Sequence, residues 1–121
     1  MHPTHITANL QVPDIDNARD FYQGYLGLTH EDLGLSWVTR FRSPDGRAAV
    51  QLVTEDATSA VDSVLSVAVG DEVDEAYAEA KRRGYEIVHP LTTEPWGPRR
   101  FFVRAPDGNV INIVGHKDEQ P

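Results

Sequence analysis

Apolar and polar residues alternate from Ile6 to Val12, with Ile6, Ala8, Leu10 and Val12 on one face and Thr7, Asn9 and Gln11 on the other. That period of two predicts a half-buried strand. Pro13-Asp14-Ile15-Asp16 follows, with Asp14 or Asp16 placed to accept hydrogen bonds from the N–H groups that open a helix. Ile15, Ala18, Phe21, Tyr22, Tyr25 and Leu26 then recur at helical spacing and predict one buried stripe. Gly27 suits the left-handed residue that ends a helix, with Leu28 folding back onto it.

The same order returns in the second half. Val64–Val69 reads as a strand, Asp71 stands where an N-cap belongs, and Val73, Ala76, Tyr77 and Ala80 form a helical stripe. Lys81, Arg82 and Arg83 bring positive charge to the carbonyl end of that helix before Gly84 and Tyr85 close it. Each helix is followed by strand, turn and strand: Trp37–Arg42, Ser43-Pro44-Asp45-Gly46 and Ala48–Val53, then Phe101–Arg104, Ala105-Pro106-Asp107-Gly108 and Val110–Val114. Proline fixes the first turn angle and glycine supplies the positive φ that reverses the chain. The Pro-Asp-Gly turns lie 62 residues apart (106 − 44) and the helix starts Asp16 and Asp74 lie 58 apart (74 − 16). Offsets this close predict a duplicated unit of half the chain, with a short insertion in one copy. The modules are expected at about 4–54 and 63–116, joined by the polar linker Thr54–Asp62 within one domain spanning 1–121.

Composition narrows the function. A chain of 121 residues, 40% hydrophobic and 25% charged, is ordinary for one globular domain, with disorder expected only over Lys117–Pro121. The net charge of −8 disfavours nucleic acid as a partner. With no cysteine, disulfides, thiolate metal sites and thiol nucleophiles are excluded. The start Met1-His2-Pro3-Thr4-His5 has no apolar run behind a basic segment and no stretch approaches membrane-spanning length, so a cytoplasmic protein with no membrane partner is expected. No Ser-His-Asp arrangement, phosphate-cradling loop or dinucleotide fingerprint is recognisable.

Val12-Pro13-Asp14-Ile15-Asp16, Asp20-Phe21-Tyr22 and Leu26-Gly27-Leu28, with Glu75–Gly84, Trp96-Gly97-Pro98-Arg99-Arg100 and Pro106-Asp107-Gly108-Asn109 in the second half, make the chain resemble the glyoxalase/bleomycin resistance/dioxygenase family, the vicinal oxygen chelate superfamily. The resemblance runs from His5 to His116. It implies an α+β fold of two βαβββ modules in tandem, forming a cupped mixed sheet around a cavity, commonly in a homodimer. In the family's enzymes four cavity-facing strand positions hold a divalent metal. Those positions map to Thr7, Gln51, Leu65 (or its neighbours Val64 and Ser66) and Asn112. That set has no carboxylate and no imidazole, so no metal and no other cofactor is expected.

Several residues admit two readings. His5 and His116 share strand faces with Thr7 and Asn112 and either form a rearranged metal site or are, like His89, histidines of strand ends and loops. Trp37, Phe41, Trp96 and Phe102 either line a cavity or pack the core, and Trp96, set among Pro95, Gly97 and Pro98, has the stronger case for ligand contact. Arg99, Arg100 and Arg104 either clamp a ligand's anionic group or pair with surface carboxylates. Gln51 and Asn112 are amides on otherwise apolar strands and call for partners.

The reading that follows is a metal-free protein of the bleomycin-resistance type, not an enzyme. It would sequester a small aromatic or hydrophobic natural product at a dimer interface through Thr7, Trp37, Phe41, Gln51, Leu65, Trp96, Phe102, Arg104 and Asn112. A metal-dependent lyase, isomerase or ring-cleaving dioxygenase is the competing class, and a domain whose self-association is its purpose is a third.

Overall fold

The computed structural model describes residues 1–115; His116 and the tail from Lys117 lie outside them. The chain forms two compact units, Thr7–Asp62 and the chain from Ser63 onward together with Met1–Ile6. The opening residues group with the second unit because the Thr4 N–H donates to the Ala68 carbonyl at 2.9 Å. His2 adds to this by holding the Glu72 carboxylate through its backbone N–H (2.6 Å) and Nδ1 (2.8 Å).

The first module comprises β1 (His5–Gln11), α1 (Ile15–Arg19), a π-helical turn (Asp20–Tyr25), β2 (Thr29–Glu31), β3 (Val38–Arg42) and β4 (Ala49–Val53). Its strands run in the order β2-β3-β4-β1, with β1 parallel to β4 and the other pairs antiparallel. In the second module, β5 (Leu65–Ala68) leads through a 3₁₀ turn (Gly70–Glu72) into α2 (Val73–Arg82), then β6 (Ile87–Thr93), β7 (Arg99–Arg104) and β8 (Val110–Gly115). The order there is β6-β7-β8-β5, with β5 parallel to β8. Both modules are thus βαβββ units with mixed sheets. Among the described residues no helix is long and apolar enough to cross a membrane.

The two Pro-Asp-Gly turns close as their sequence demands. Gly46 N–H donates to Ser43 O at 2.8 Å and Gly108 N–H to Ala105 O at 2.9 Å, both glycines at positive φ (75° and 95°). Helix starts at Ile15 and Val73 keep the 58-residue offset (73 − 15).

The helices differ from expectation in two ways. Asp14 is the first cap, its Oδ1 accepting from Asp16 N (2.9 Å) and Asn17 N (3.2 Å), but Asp71 does not cap the second helix. It lies inside the 3₁₀ turn, and α2 begins with no side-chain cap hydrogen bond. The second stripe is buried as expected: Val73, Ala76 and Ala80 form a cluster with Val69, Phe101 and Ile113. The first is not. No residue of α1 or of the π turn is buried, and Phe21, Tyr25 and Leu26 are 52%, 78% and 48% exposed.

Length explains the contrast. From helix start to closing glycine the first module spans 12 residues (27 − 15) and the second 11 (84 − 73). In the second, Gly84 N–H reaches Lys81 O and Tyr85 N–H reaches Ala80 O, the paired closure of a Schellman motif. In the first, the extra residue widens the turn: Leu26 N–H reaches back five residues to Phe21 O at 2.9 Å, and Leu28 N–H six residues to Tyr22 O at 3.1 Å. The widened turn breaks the 3.6-residue period, so Phe21 and Tyr25 stack on each other (centroids 5.3 Å apart) rather than on the sheet.

Candidate functional site

In the second module α2 covers one face of the sheet, packing on Phe101 and Ile113 with Val67, Val103 and Ile111 around them. Side chains alternate along a strand, so the neighbours Ser66, Asn112, Phe102 and Arg100 belong to the opposite, helix-free face. Register aligns them in a row: Ser66 opposite Asn112, Asn112 opposite Phe102, and Phe102 opposite His89. Asn112 Nδ2 donates to Ser66 Oγ at 3.0 Å. Its Oδ1 is buried without a partner among the described residues, a condition that costs about 1–3 kcal/mol in a folded chain.

A charged cluster stands beside this row. The hairpin between β6 and β7 is closed by Glu94 N–H to Pro98 O (2.8 Å) and Gly97 N–H to Glu94 O (3.0 Å). It carries Glu94 inward, where Oε2 accepts from Arg100 Nε at 2.5 Å and lies 3.1 Å from His89 Nε2. Glu94 and Arg100 are 3% and 5% exposed. The Arg100 guanidinium carbon sits 5.1 Å from the Trp96 ring centre and 4.8 Å from that of Phe102, within cation–π range of both. His89 also tilts against Phe102, with centroids 5.3 Å apart. The result is a neutralised, stacked wall that fixes one face of the half-buried Trp96 indole.

The first module repeats the geometry with other chemistry. Tyr22 stacks on Phe41 at 5.8 Å, which marks the helix side. The opposite face carries the row Glu31, Arg40, Gln51, Asn9, aligned by β2–β3, β3–β4 and β1–β4 pairing. Arg42 Nε donates to Glu31 Oε2 at 2.7 Å, and Arg40 Nη1 reaches the same oxygen at 3.4 Å. Partial burial pushes the Glu31 carboxyl up, but the Arg42 hydrogen bond and the charges of Arg40 and Arg42 outweigh it and hold it below the ordinary carboxylate value.

The expected site residues therefore fall into three groups. Phe102, Asn112 and Trp96 come together on the helix-free side of the second module. Gln51 and Thr7 lie on the helix-free face of the first, though Asn9, two residues beyond Thr7, is the residue in register with Gln51. The remaining four sit elsewhere. Phe41 is fully buried beneath Tyr22 on the helix side, because its period-two face is the one the helix covers. Leu65 is paired with Ile111, on the side of α2, and the face of Asn112 is served by Ser66. Trp37 precedes β3 half-buried, and its carbonyl accepts the Thr54 N–H at 2.9 Å. Arg104 braces the Pro106-Asp107-Gly108 turn, bonding Glu86 Oε1 (3.2 Å) and Gly108 O (3.0 Å).

Of the histidines, His5 is exposed at the strand start beside Thr4 Oγ1 (3.2 Å), and His116 falls outside the described residues. Arg99 takes the surface role, pairing with Asp74 at 2.7 Å. Arg100 is neither a surface cation nor a free clamp, because the hairpin folds Glu94 onto it. Glu94 and Arg40 carry no motif; the one available signal for Glu94 was a carboxylate six residues ahead of Arg100 across a Pro/Gly turn.

The divalent metal of the resembled enzymes does not fit these residues. Such an ion favours carboxylate or imidazole donors; the second row offers a hydroxyl, an amide and one imidazole, and that imidazole, His89, stands against the Glu94 carboxylate that Arg100 already holds. Among the described residues no three His, Cys, Asp or Glu side chains gather into a metal-holding group.

No curated protein sequence matches the chain. Solved structures do. A chain from Legionella pneumophila described as an NAD-dependent benzaldehyde dehydrogenase aligns with TM-score 0.76 and 19% identity, over 93% of this chain and 100% of that one. A glyoxalase/bleomycin resistance protein/dioxygenase superfamily member from Vibrio splendidus aligns with TM-score 0.69 and 17% identity over 92% and 97%. Methylmalonyl-CoA epimerase from Mycobacterium tuberculosis aligns with TM-score 0.71 and 21% identity over 94% and 89%. At these identities the likeness is one of fold. The sequence profile of the Glyoxalase/Bleomycin resistance protein/Dioxygenase superfamily matches residues 2–113. With both βαβββ modules in place, the chain belongs to that superfamily.

Proposed function

We propose that this protein binds a small, flat, partly aromatic molecule without a metal and sequesters it, as a bleomycin-resistance-type protein. The observation that carries the reading is the helix-free row of the second module. Where a chelating enzyme needs free ionic donors, the row presents Ser66, Asn112 and Phe102 beside a braced Trp96, and its one imidazole, His89, stands against Glu94. Removing apolar ligand surface from water against Trp96 drives binding, at about 25 cal/mol per Å². A few polar groups then orient the guest. A homodimer forms part of the proposal, supported by the exposed Phe21, Tyr25 and Leu26.

The test is a thermal-shift screen of purified protein against planar aromatic antibiotics, run beside titrations with Fe, Mn, Ni and Zn. A raised melting temperature with aromatics and no tight metal uptake is expected, since a ligand of the native state stabilises it. Trp96→Ala should weaken binding about tenfold or more while the melting temperature of the free protein changes little. Stoichiometric metal binding would overturn the reading in favour of a metal-dependent lyase, isomerase or dioxygenase.

A further inference from the structure

The helix-free face of the first module holds two cations that share one carboxylate. Arg40 stands between Glu31 and Gln51 in register. Glu31 Oε2 is already taken by Arg42 Nε at 2.7 Å, which leaves Arg40 Nη1 only a long 3.4 Å approach to the same oxygen. Arg40 Nε is buried and has no hydrogen-bond partner among the described residues. Two guanidiniums against one carboxylate leave a local charge of +1 (2 − 1) at this spot, in a chain whose net charge is −8. Glu31 stays ionised because both arginines favour its charged form. One negative charge is therefore shared between two cations, and Arg40 has the longer of the two contacts.

We propose that Arg40 anchors an anion-binding site for a small organic carboxylate, with Gln51 beside it. A planar guanidinium presents its Nε–H and an Nη–H as a fork that matches the two oxygens of a carboxylate. An incoming carboxylate gives the buried Nε–H the acceptor that the chain withholds. The side chain as a whole is 23% exposed while Nε itself is covered, so an incoming carboxylate uncovers that edge of the fork as it binds. In so acidic a protein the long-range field repels anions, and selectivity rests on this local geometry. The site lies wholly on the first module and does not depend on the aromatic wall of the second.

Benzoate and benzamide share size and shape and differ in charge, so the pair tests the site. Binding is followed by isothermal titration and by the NMR signal of the Arg40 Nε–H group. Benzoate should bind about tenfold or more tightly than benzamide and shift the Arg40 Nε–H resonance. Arg40→Gln should remove the preference, and Arg40→Lys, which keeps the charge without the fork, should restore only part of it. Glu31→Gln, which removes the competing carboxylate, should strengthen benzoate binding severalfold. Arg99→Gln, at the surface ion pair of the second module, should leave the preference unchanged. Equal affinity for the two probes, or a preference that survives Arg40→Gln, overturns the proposal. A preference lost in Arg99→Gln also overturns it, by placing the anion on the second module.

Discussion

The two modules share a topology and a row of four aligned side chains, yet length changes of a few residues give them different chemistry. Between helix start and closing glycine the first carries one residue more, and a π turn absorbs it at the expense of the apolar stripe. Between the row residues of the second and third strands the second module carries four more, 13 residues from His89 to Phe102 against 9 from Glu31 to Arg40 (102 − 89 and 40 − 31). Those residues lengthen β6, bring two register shifts, and build the hairpin that presents Glu94 and Trp96. Helix packing is thus better in the copy that also gained a stacked aromatic wall. The shorter hairpin leaves its row to ions and amides. Duplication supplied the frame, and small insertions decided which copy became apolar.

The largest effect should separate the two helix faces. Phe101→Ala removes a buried ring that meets Tyr77 edge-on at 5.0 Å beneath α2, and should cost about 3–5 kcal/mol. Phe21→Ala, in the π turn, should change stability by about 0.5 kcal/mol or less in dilute protein, where single chains dominate. Urea denaturation of both variants checks the contrast. Comparable losses would mean that the first helix is as firmly packed as the second. A Phe21 effect that grows with protein concentration would instead place that ring in a contact between copies of the chain.

Next comes the hairpin of the second module. Glu94→Ala strips the buried Arg100 of the carboxylate 2.5 Å from its Nε, and removing one member of a buried ion pair destabilises by about 3 kcal/mol. Replacing both partners together, as Glu94→Leu with Arg100→Met, should recover most of that loss while releasing the cation that braces Trp96. Ligand affinity should then fall although stability returns. If affinity and stability recover together, the stacked guanidinium has no part in holding the indole.

Much of this was legible in the chain. The duplication, both Pro-Asp-Gly turns, a first cap at Asp14 or Asp16 and the stripe of α2 follow from local rules: fixed φ at proline, positive φ at glycine, a short acceptor side chain before a helix, and apolar spacing near 3.6. What stayed hidden depends on register. Leu65 and Ser66 are adjacent in sequence and on opposite faces in the sheet, so a one-residue error in alignment exchanges a helix-side leucine for the hydroxyl beside Asn112. Phe41 and Phe102 are alike as residues. The first meets the helix and the second meets Arg100, because Phe41 stands three residues before its turn proline (44 − 41) and Phe102 four before its own (106 − 102). The π turn was unreadable for the same reason, since one inserted residue leaves the apolar composition of the stripe intact and alters only its phase.

The smallest effect concerns the ionic row of the first module. The Glu31 carboxyl is held below its ordinary value of 4.5 by Arg42 and Arg40 against the opposing pull of partial burial. A carboxyl whose folded pKa is depressed adds stability that is fully present above its unfolded value and fades as pH falls through the folded one. The melting temperature of the native protein should therefore exceed that of Glu31→Gln above pH 4.5, and the gap should close as the solution is acidified further. Because the side chains are partly exposed, the difference should stay at about 1 kcal/mol or less and shrink with added salt. A gap that persists through the acid range would show that Glu31 contributes by packing. A gap of the opposite sign at neutral pH would show that a neutral side chain suits the site better, with desolvation of the Glu31 carboxylate outweighing its two guanidinium partners.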